Sequence, residues 1–414
     1  MAPRIAVMHH PRSFFPLDLF QQVGGTADLL WVLSGPERDE TTDPRLLRHL
    51  GTVVDIAGMG VDRAAEALEE HGTEGIVSFV DDYIEDAAAL ADRLGLRYHT
   101  PEVALSVVDK RVQRTLVSEA GIPGPSFRVV SQGMSTEEIG HLATEVGFPV
   151  VLKPAKGSGS RGIELAGSYG ELLSLLSFQE SSAGGSFVGV IEEFLLDDPG
   201  RNPTFASYVS VESVVSHGRT SHVAVTGRFP LASAFRETGN FIPAAEDTST
   251  LAAVTTMAGQ AIEALGILDS IVHTEIKLTP DGPKLIEVNG RLGGRPPFVL
   301  QEVSSVNLFQ VACAVAAGRP VCFRRLVECD GVGFWLMFQP PPSARRVASI
   351  DGLATVNDLA EVKITCVTRS IGSAVDAREG TDSKVLTVRG RTKDLAGLAK
   401  TVACIESAVA IRYD

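Results

Sequence analysis

The run KPAKGSGSRGIEL holds Gly157, Gly159 and Gly162 in the spacing Gly-x-Gly-x-x-Gly. That spacing marks a dinucleotide-binding βαβ unit only when a helix opens directly after the loop and presents its N-terminus to a pyrophosphate. Here the loop leads into IELAGS, a short β-like run. A Rossmann unit is therefore excluded. A Walker A loop is excluded as well, because no Gly-Lys-Ser or Gly-Lys-Thr follows. What remains is strand, glycine loop, strand. Glycine and serine let backbone N–H groups converge on phosphate oxygens, and Lys153 just before the loop would add a point charge. The segment reads either as a flap over phosphates, of the kind seen in kinase-like sites, or as an ordinary flexible hairpin tip.

A second segment, HTEIKLTPDGPKLIEVNGRLGG from His273 to Gly294, places Glu275, Glu287, Asn289 and Arg291 in what reads as a β-hairpin. HTEIKL and KLIEVN alternate like strands, and TPDGP is turn chemistry. A two-residue Asp281-Gly282 loop would oppose Pro280 and Pro283, neither of which has an N–H for the ladder. A five-residue loop from Thr279 to Pro283 avoids this and sets Glu275 opposite Glu287. The period of two then puts Asn289 and Arg291 on the same face. Opposed carboxylates about 5 Å apart repel unless a cation lies between them. Two carboxylates and an amide oxygen form a hard, all-oxygen set suited to Mg²⁺. The plainer alternative is a solvated acidic face.

Around these segments the chain reads as several structural units. Residues 1–105 alternate strand and helix, the pattern of a parallel α/β sheet. VALSVVDKRVQRTLVSEAG reads as one helix closed by Gly121 and followed by the break GIPGPSF. From about 125 to 190 comes a small sheet with two helices. The strands lengthen between about 205 and 330, and residues 331–414 are strand-rich with a final helix. Residues 106–330 are taken as the core, with the 125–190 segment as its lid.

A net charge of −14 without a Lys/Arg cluster argues against a nucleic-acid partner. The opening MAPRIAVMHHPRS does not read as a secretory signal, and no apolar run is long enough to span a bilayer. The expectation is a cytoplasmic protein without a membrane partner. The odd set Cys313, Cys322, Cys329, Cys366 and Cys404 lacks a CxxC and reads as reduced, buried, structural thiols.

Four pieces in this order resemble the ATP-grasp superfamily. They are AAALADRLGLRYHTPEVALSVVDKRVQRTLVSEAGIPGP, FPVVLKPAKGSGSRGI, VIEEFL and the 273–294 hairpin. The chain is similar to its carboxylate–amine ligases, the branch that includes the dipeptide-forming L-amino-acid ligases. The resemblance implies an α/β and α+β multidomain ATP-grasp fold with an N-terminal parallel α/β domain, a mobile lid and a strand-rich C-terminal extension. It implies that ATP is bound by Lys110, Lys153 and the lid residues Gly157, Ser158, Gly159, Ser160 and Gly162. Glu192 and the backbone of Glu193, Phe194 and Leu195 would read the base edge. Glu275, Glu287 and Asn289 would hold Mg²⁺, two ions in all, with Mn²⁺ as a substitute. Arg291 would act on the transferred phosphate and the tetrahedral intermediate. FRETGNFIP, with Glu237, would line the acceptor side. His273 shares the face of Glu275 and reads either as a substrate contact or as a structural, hydrogen-bonded histidine, and Arg295, after the double glycine, reads either as a ligand for a substrate carboxylate or as a surface ion-pair partner. The sequence departs from the family after VIEEFL, where LLDDPGRNPTFASY stands in place of a nearby ribose-binding glutamate; Asp197 or Asp198 is the available substitute.

The implied reaction joins a small-molecule carboxylate to an amine through an acylphosphate, releasing ADP and phosphate. The alternatives are a bicarbonate-using carboxylase of the same superfamily and a non-catalytic nucleotide-binding protein. A homodimer is the commonest closed assembly for such a chain.

Overall fold

In a computed structural model of the chain, residues 2–35, 39, 42–182 and 187–414 are described. The N-terminal part forms a parallel sheet from β1 (Arg4–Met8), β2 (Asp28–Leu33), β3 (Thr52–Asp55) and β4 (Gly75–Ser78), ordered β3-β2-β1-β4. These strands are almost wholly apolar because helices cover both faces of such a sheet. The chain order reverses between β1 and β4, the place where α/β sheets leave a crevice beyond their strand C-termini.

The lid is an antiparallel sheet of β5 (Phe127–Ser131), β6 (Val150–Pro154), β7 (Glu164–Ala166) and β8 (Val188–Glu193), ordered β5-β8-β6-β7. β6 runs directly through the glycine loop into antiparallel β7, with Val150 opposite Ala166. This is the flap geometry, and no helix begins at the loop.

The largest sheet has eight strands, β9 (Tyr208–Ser216), β10 (Arg219–Arg228), β11 (Gly239–Ile242), β12 (Ser270–Thr279), β13 (Gly282–Asn289), β14 (Val332–Phe338), β16 (Val362–Val367) and β17 (Leu386–Thr392). Its order is β13-β12-β9-β10-β11-β14-β17-β16, so the sheet continues past residue 331 and the C-terminal strands extend it. β15 (Val347–Asp351) and β18 (Ala410–Tyr413) pair separately.

Alternation decides which face of this sheet is chemical. Val209, Val211, Val272, Ile276, Leu285 and Val288 join the helix Thr248–Ala264 in one core cluster. Each such buried side chain contributes about 1.5–3 kcal/mol. The residues between them, Ser210, Glu212, His273 and Glu275, turn to the other face.

Three expectations need correction. The hairpin turn is the two-residue Pro280–Asp281, closed by Thr279 Oγ1 donating to the Gly282 carbonyl at 2.7 Å, and not a five-residue loop. In this register Pro283 faces Leu278, so the two prolines never oppose each other. Ile286 then bulges, which returns Glu275 to a position opposite Glu287. The long helix expected before residue 121 is two helices, Pro101–Val108 and Lys110–Glu119. They break at Asp109, whose extended backbone and side chain cap the second helix through the N–H of Arg111. Finally, only Cys313 is buried; Cys322, Cys366 and Cys404 are exposed and Cys329 is half-buried.

Among the described residues no single helix is long and apolar enough to cross a membrane.

Candidate active site

A cavity of about 940 Å³ lies between the lid, the large sheet and the β4 end of the N-terminal sheet. Its walls include Lys110, Lys153, the loop from Gly157 to Ser160, and Glu192 to Leu195. They also include Glu237, His273, Glu275, Glu287, Asn289, Arg291 and Arg295. Gly162 is the one expected site residue outside this wall. A Cβ there would lie 2.8 Å from Pro154 Cγ at a backbone φ of 69°, so it is a packing glycine at the return of the flap.

The two lysines are held by different means. The break at Asp109 starts a helix at Lys110, whose N–H donates to the Ala155 carbonyl at 2.8 Å and ties the helix to the flap. Its Nζ lies 2.8 Å from Glu287 and donates to the Gly157 carbonyl at 3.1 Å. Lys153 Nζ is 2.6 Å from Glu192, and Arg114 Nε reaches the same carboxylate at 2.7 Å. Burial pushes Glu192 upward, but Arg114 and Lys153 outweigh it and hold its carboxyl at about 2. Burial pulls Lys153 below the ordinary lysine range, only partly offset by Glu192. The Glu192 side chain is thus committed to two cations. Glu193 is similarly engaged with Lys284 at 2.9 Å.

The opposite wall is a charged network on the sheet. Glu212 lies 2.9 Å from His273 Nδ1, and His273 Nε2 lies 3.3 Å from Glu275. Burial and the Arg228 charge lower the His273 pKa, while Glu212 first and then Glu275 raise it further, to about 9; Arg228 Nη2 also lies 3.0 Å from His273 Nε2. Glu275, though buried, is held ionised at about 2 by His273 and Arg228. Arg228 bonds Glu237 and Ser210, and lies 3.8 Å from Glu275. Arg291 pairs with Asp81 of the N-terminal domain at 2.6 Å and approaches the Asn289 amide oxygen at 3.3 Å. The side-chain oxygens of Glu275 and Glu287, opposed across the hairpin beside that amide oxygen, make a donor set that fits a hard divalent cation.

Glu212, Arg228, Arg114 and Asp81 were not singled out from the sequence. Signals existed for two of them. Glu212 interrupts the otherwise apolar and small strand YVSVESVVS, and Arg114 stands one turn beyond Lys110. Asp198, on the cavity wall, caps its own turn by accepting from the Gly200 N–H at 2.9 Å. Asp197 is paired with Lys277.

The glycine loop is latched from the far side. The Thr381 N–H donates to the Gly159 carbonyl at 2.9 Å, and Ser160 Oγ donates to the Phe235 carbonyl at 2.9 Å.

The chain is similar in sequence and fold to several known proteins. Residues 109–199 match the family model described as the carbamoyl-phosphate synthase L chain, ATP-binding domain. The chain is 26% identical over 247 residues to the alanine–anticapsin ligase of Bacillus subtilis (strain 168), covering 56% of this chain and 52% of that protein. It is 24% identical over 312 residues to dapdiamide A synthase of Enterobacter agglomerans, covering 69% and 68%. The crystal structure of an L-amino acid ligase from Bacillus licheniformis superposes with a TM-score of 0.78 at 17% identity, covering 100% of this chain and 99% of that one. The chain spans about half the length of the anticapsin ligases it matches. The fold is ATP-grasp, and the chain resembles the L-amino-acid ligases.

Proposed function

We propose that this ATP-grasp chain is an ATP-dependent ligase that joins the carboxylate of one small molecule, an amino acid, to the amine of another. The observation that carries this reading is the convergence of Lys110, Lys153, the glycine flap, Glu275, Glu287, Asn289, Arg291 and Glu237 on one cavity.

The chemistry proceeds in two displacements. A carboxylate oxygen attacks the γ-phosphorus of ATP and the bond to ADP breaks, leaving an acylphosphate. The amine nitrogen then attacks the acyl carbon, the C–O bond to phosphate breaks, and the nitrogen loses a proton as the amide forms. Positioning and charge neutralisation are most of what a phosphoryl-transfer site must provide. Lys110 and Lys153 face the phosphates, while the flap closes over the cavity and excludes the water that would hydrolyse the acylphosphate. Glu275, Glu287 and Asn289 would hold Mg²⁺, as two ions or as Mn²⁺ in their place, and the metal would supply further neutralisation of phosphate charge. Arg291, buried and fixed by Asp81, presents its guanidinium to the charge that develops on the oxyanion and the departing phosphate. His273, held by Glu212 at Nδ1, stands between Arg228 and Glu275 and helps position them. The base is read by the backbone from Glu193 to Leu195.

The test is phosphate release with amino acids supplied singly and in pairs, with product masses determined. An amide-containing product is expected. Turnover only with bicarbonate would point to a carboxylase instead, and absence of ATP binding would refute both enzymatic readings.

A further inference from the structure

The helix Lys110–Glu119 buries a polar face. Its buried side chains are Lys110, Gln113, Arg114 and Val117. Polar groups leave water at a cost unless each finds a partner, so this face is defined by what it holds. Positions 110, 113 and 114 stand on one side of the helix by their spacing. That side meets β13, which is the edge strand of the large sheet. An edge strand presents N–H and C=O groups that no neighbouring strand satisfies.

Here the helix takes the place of that neighbour. Gln113 Nε2 donates to the Val288 carbonyl at 2.9 Å, and the Val288 N–H donates to Gln113 Oε1 at 2.9 Å. Arg114 Nη2 donates to the Ile286 carbonyl, and Lys110 Nζ lies 2.8 Å from the Glu287 carboxylate. On one side of this run the Leu285 N–H donates to the Pro123 carbonyl at 2.7 Å. On the other, His99 Nε2 and Ser270 Oγ reach the Gly290 carbonyl at 2.7 and 3.0 Å. Of the three polar side chains, only Gln113 can pair both backbone groups of one residue, because an amide carries a donor and an acceptor side by side. Gln113 is 1% exposed and Val288 is wholly buried, so water cannot take over that pairing. Val288 stands between Glu287 and Asn289, just beyond the bulge at Ile286. A bulge leaves its residue outside the ladder and adds local twist, so the residues beyond it need another constraint to fix their aim.

We propose that Gln113 is a positioning residue for the metal ligands: by pairing with both backbone groups of Val288, it fixes how Glu287 and Asn289, on either side, present their oxygens. This rests on the metal-dependent ligase reading above. Gln113 does not line the cavity and acts only through the strand. Groups that orient a metal ligand from behind set its geometry, and their loss costs about tenfold to hundredfold in metal affinity.

The test measures Mn²⁺ binding by electron paramagnetic resonance, with ADP present, in wild type, Gln113→Met, Gln113→Asn and Val117→Ala. Gln113→Met keeps the side-chain length and removes both hydrogen bonds. Its Mn²⁺ dissociation constant should rise about tenfold or more, and the Mg²⁺ concentration for half-maximal phosphate release should rise with it. The KM for ATP at saturating Mg²⁺ should not move. Gln113→Asn keeps the amide but shortens its reach, so it should also weaken Mn²⁺ binding; it carries the test if thermal melts show Gln113→Met unfolded. Val117→Ala removes apolar packing from the same helix and no hydrogen bond to β13. It should lower the melting temperature and leave the Mn²⁺ constant unchanged. Unchanged Mn²⁺ binding in the folded Gln113 variant, or an equal loss in Val117→Ala, would overturn the assignment. Wild type that holds no Mn²⁺ with ADP would overturn it together with the metal site. Failure of the ligase reading alone would appear separately, as Mn²⁺ binding that depends on Gln113 without amino-acid-dependent phosphate release.

Discussion

Replacing Glu192 with glutamine keeps the side-chain volume and one acceptor oxygen but removes the charge that two buried cations share. Arg114, Lys153 and Glu192 have side chains 3%, 11% and 2% exposed, so solvent cannot take over that role. The shift of the Glu192 carboxyl from 4.5 to about 2 corresponds to about 3 kcal/mol of native-state stabilisation at neutral pH. Breaking a buried ion pair by removing one partner costs a similar amount, about 3–5 kcal/mol. The sign follows from a depressed carboxylate pKa. Its contribution is fully present above the unfolded value of about 4.5, and is lost as pH falls through the folded value of about 2. Urea denaturation at pH 7 should therefore show Glu192→Gln less stable by about 3 kcal/mol. The gap should narrow below about pH 5, to about 1.4 kcal/mol near pH 3. In the same variant Lys153 loses the carboxylate that opposes its desolvation, so the KM for ATP should rise. A gap below about 0.5 kcal/mol, or one unchanged between pH 7 and pH 3, would refute the claim that this triad anchors Lys153.

Three further outcomes are expected. Glu287→Ala should lower phosphate release by at least about 100-fold with the circular dichroism spectrum intact, and chelation of divalent metal should do the same to wild type. His273, raised to about 9, contributes stability that is fully present below its unfolded value near 6.5 and is lost as pH rises through 9; urea midpoints should fall over that window, and Glu212→Gln should flatten the fall. Gly380→Ala should loosen the lid, because its Cβ would lie 2.1 Å from the Gly159 carbonyl oxygen at a φ of 67°; the kcat/KM for ATP should drop while an unrelated surface Gly→Ala, such as Gly170→Ala, leaves it unchanged.

Local pattern carried some of this site well. The run after the glycine loop was strand-like, and the strand–loop–strand order followed from that alone. The opposition of Glu275 and Glu287 was also legible, although through the wrong turn. A two-residue loop plus a bulge at Ile286 gives the same pairing there as a five-residue loop, and the pattern of two does not distinguish them. The cap at Asp109 was harder to see, since VALSVVDKRVQRTL keeps helical character on both sides of the break. The Glu212–His273 pair depends on which strands are neighbours, and no local pattern encodes that β9 lies beside β12; the Arg291–Asp81 pair joins segments that follow strands of two different sheets. The contact of Thr381 with Gly159 joins segments far apart in the chain, and its sequence cue is a lone glycine at 380. Arg295 was visible as a charge after a double glycine.

The most direct test of the central claim follows oxygen. A donor amino acid labelled with oxygen-18 in its carboxylate is incubated with ATP, Mg²⁺ and an acceptor amino acid, and the released phosphate is analysed by mass spectrometry. Attack of the carboxylate on the γ-phosphorus, followed by loss of phosphate to the amine, moves one heavy oxygen into phosphate for each amide formed. Amide product accompanied by unlabelled phosphate would contradict the acylphosphate, and with it the roles assigned to Lys153 and Arg291.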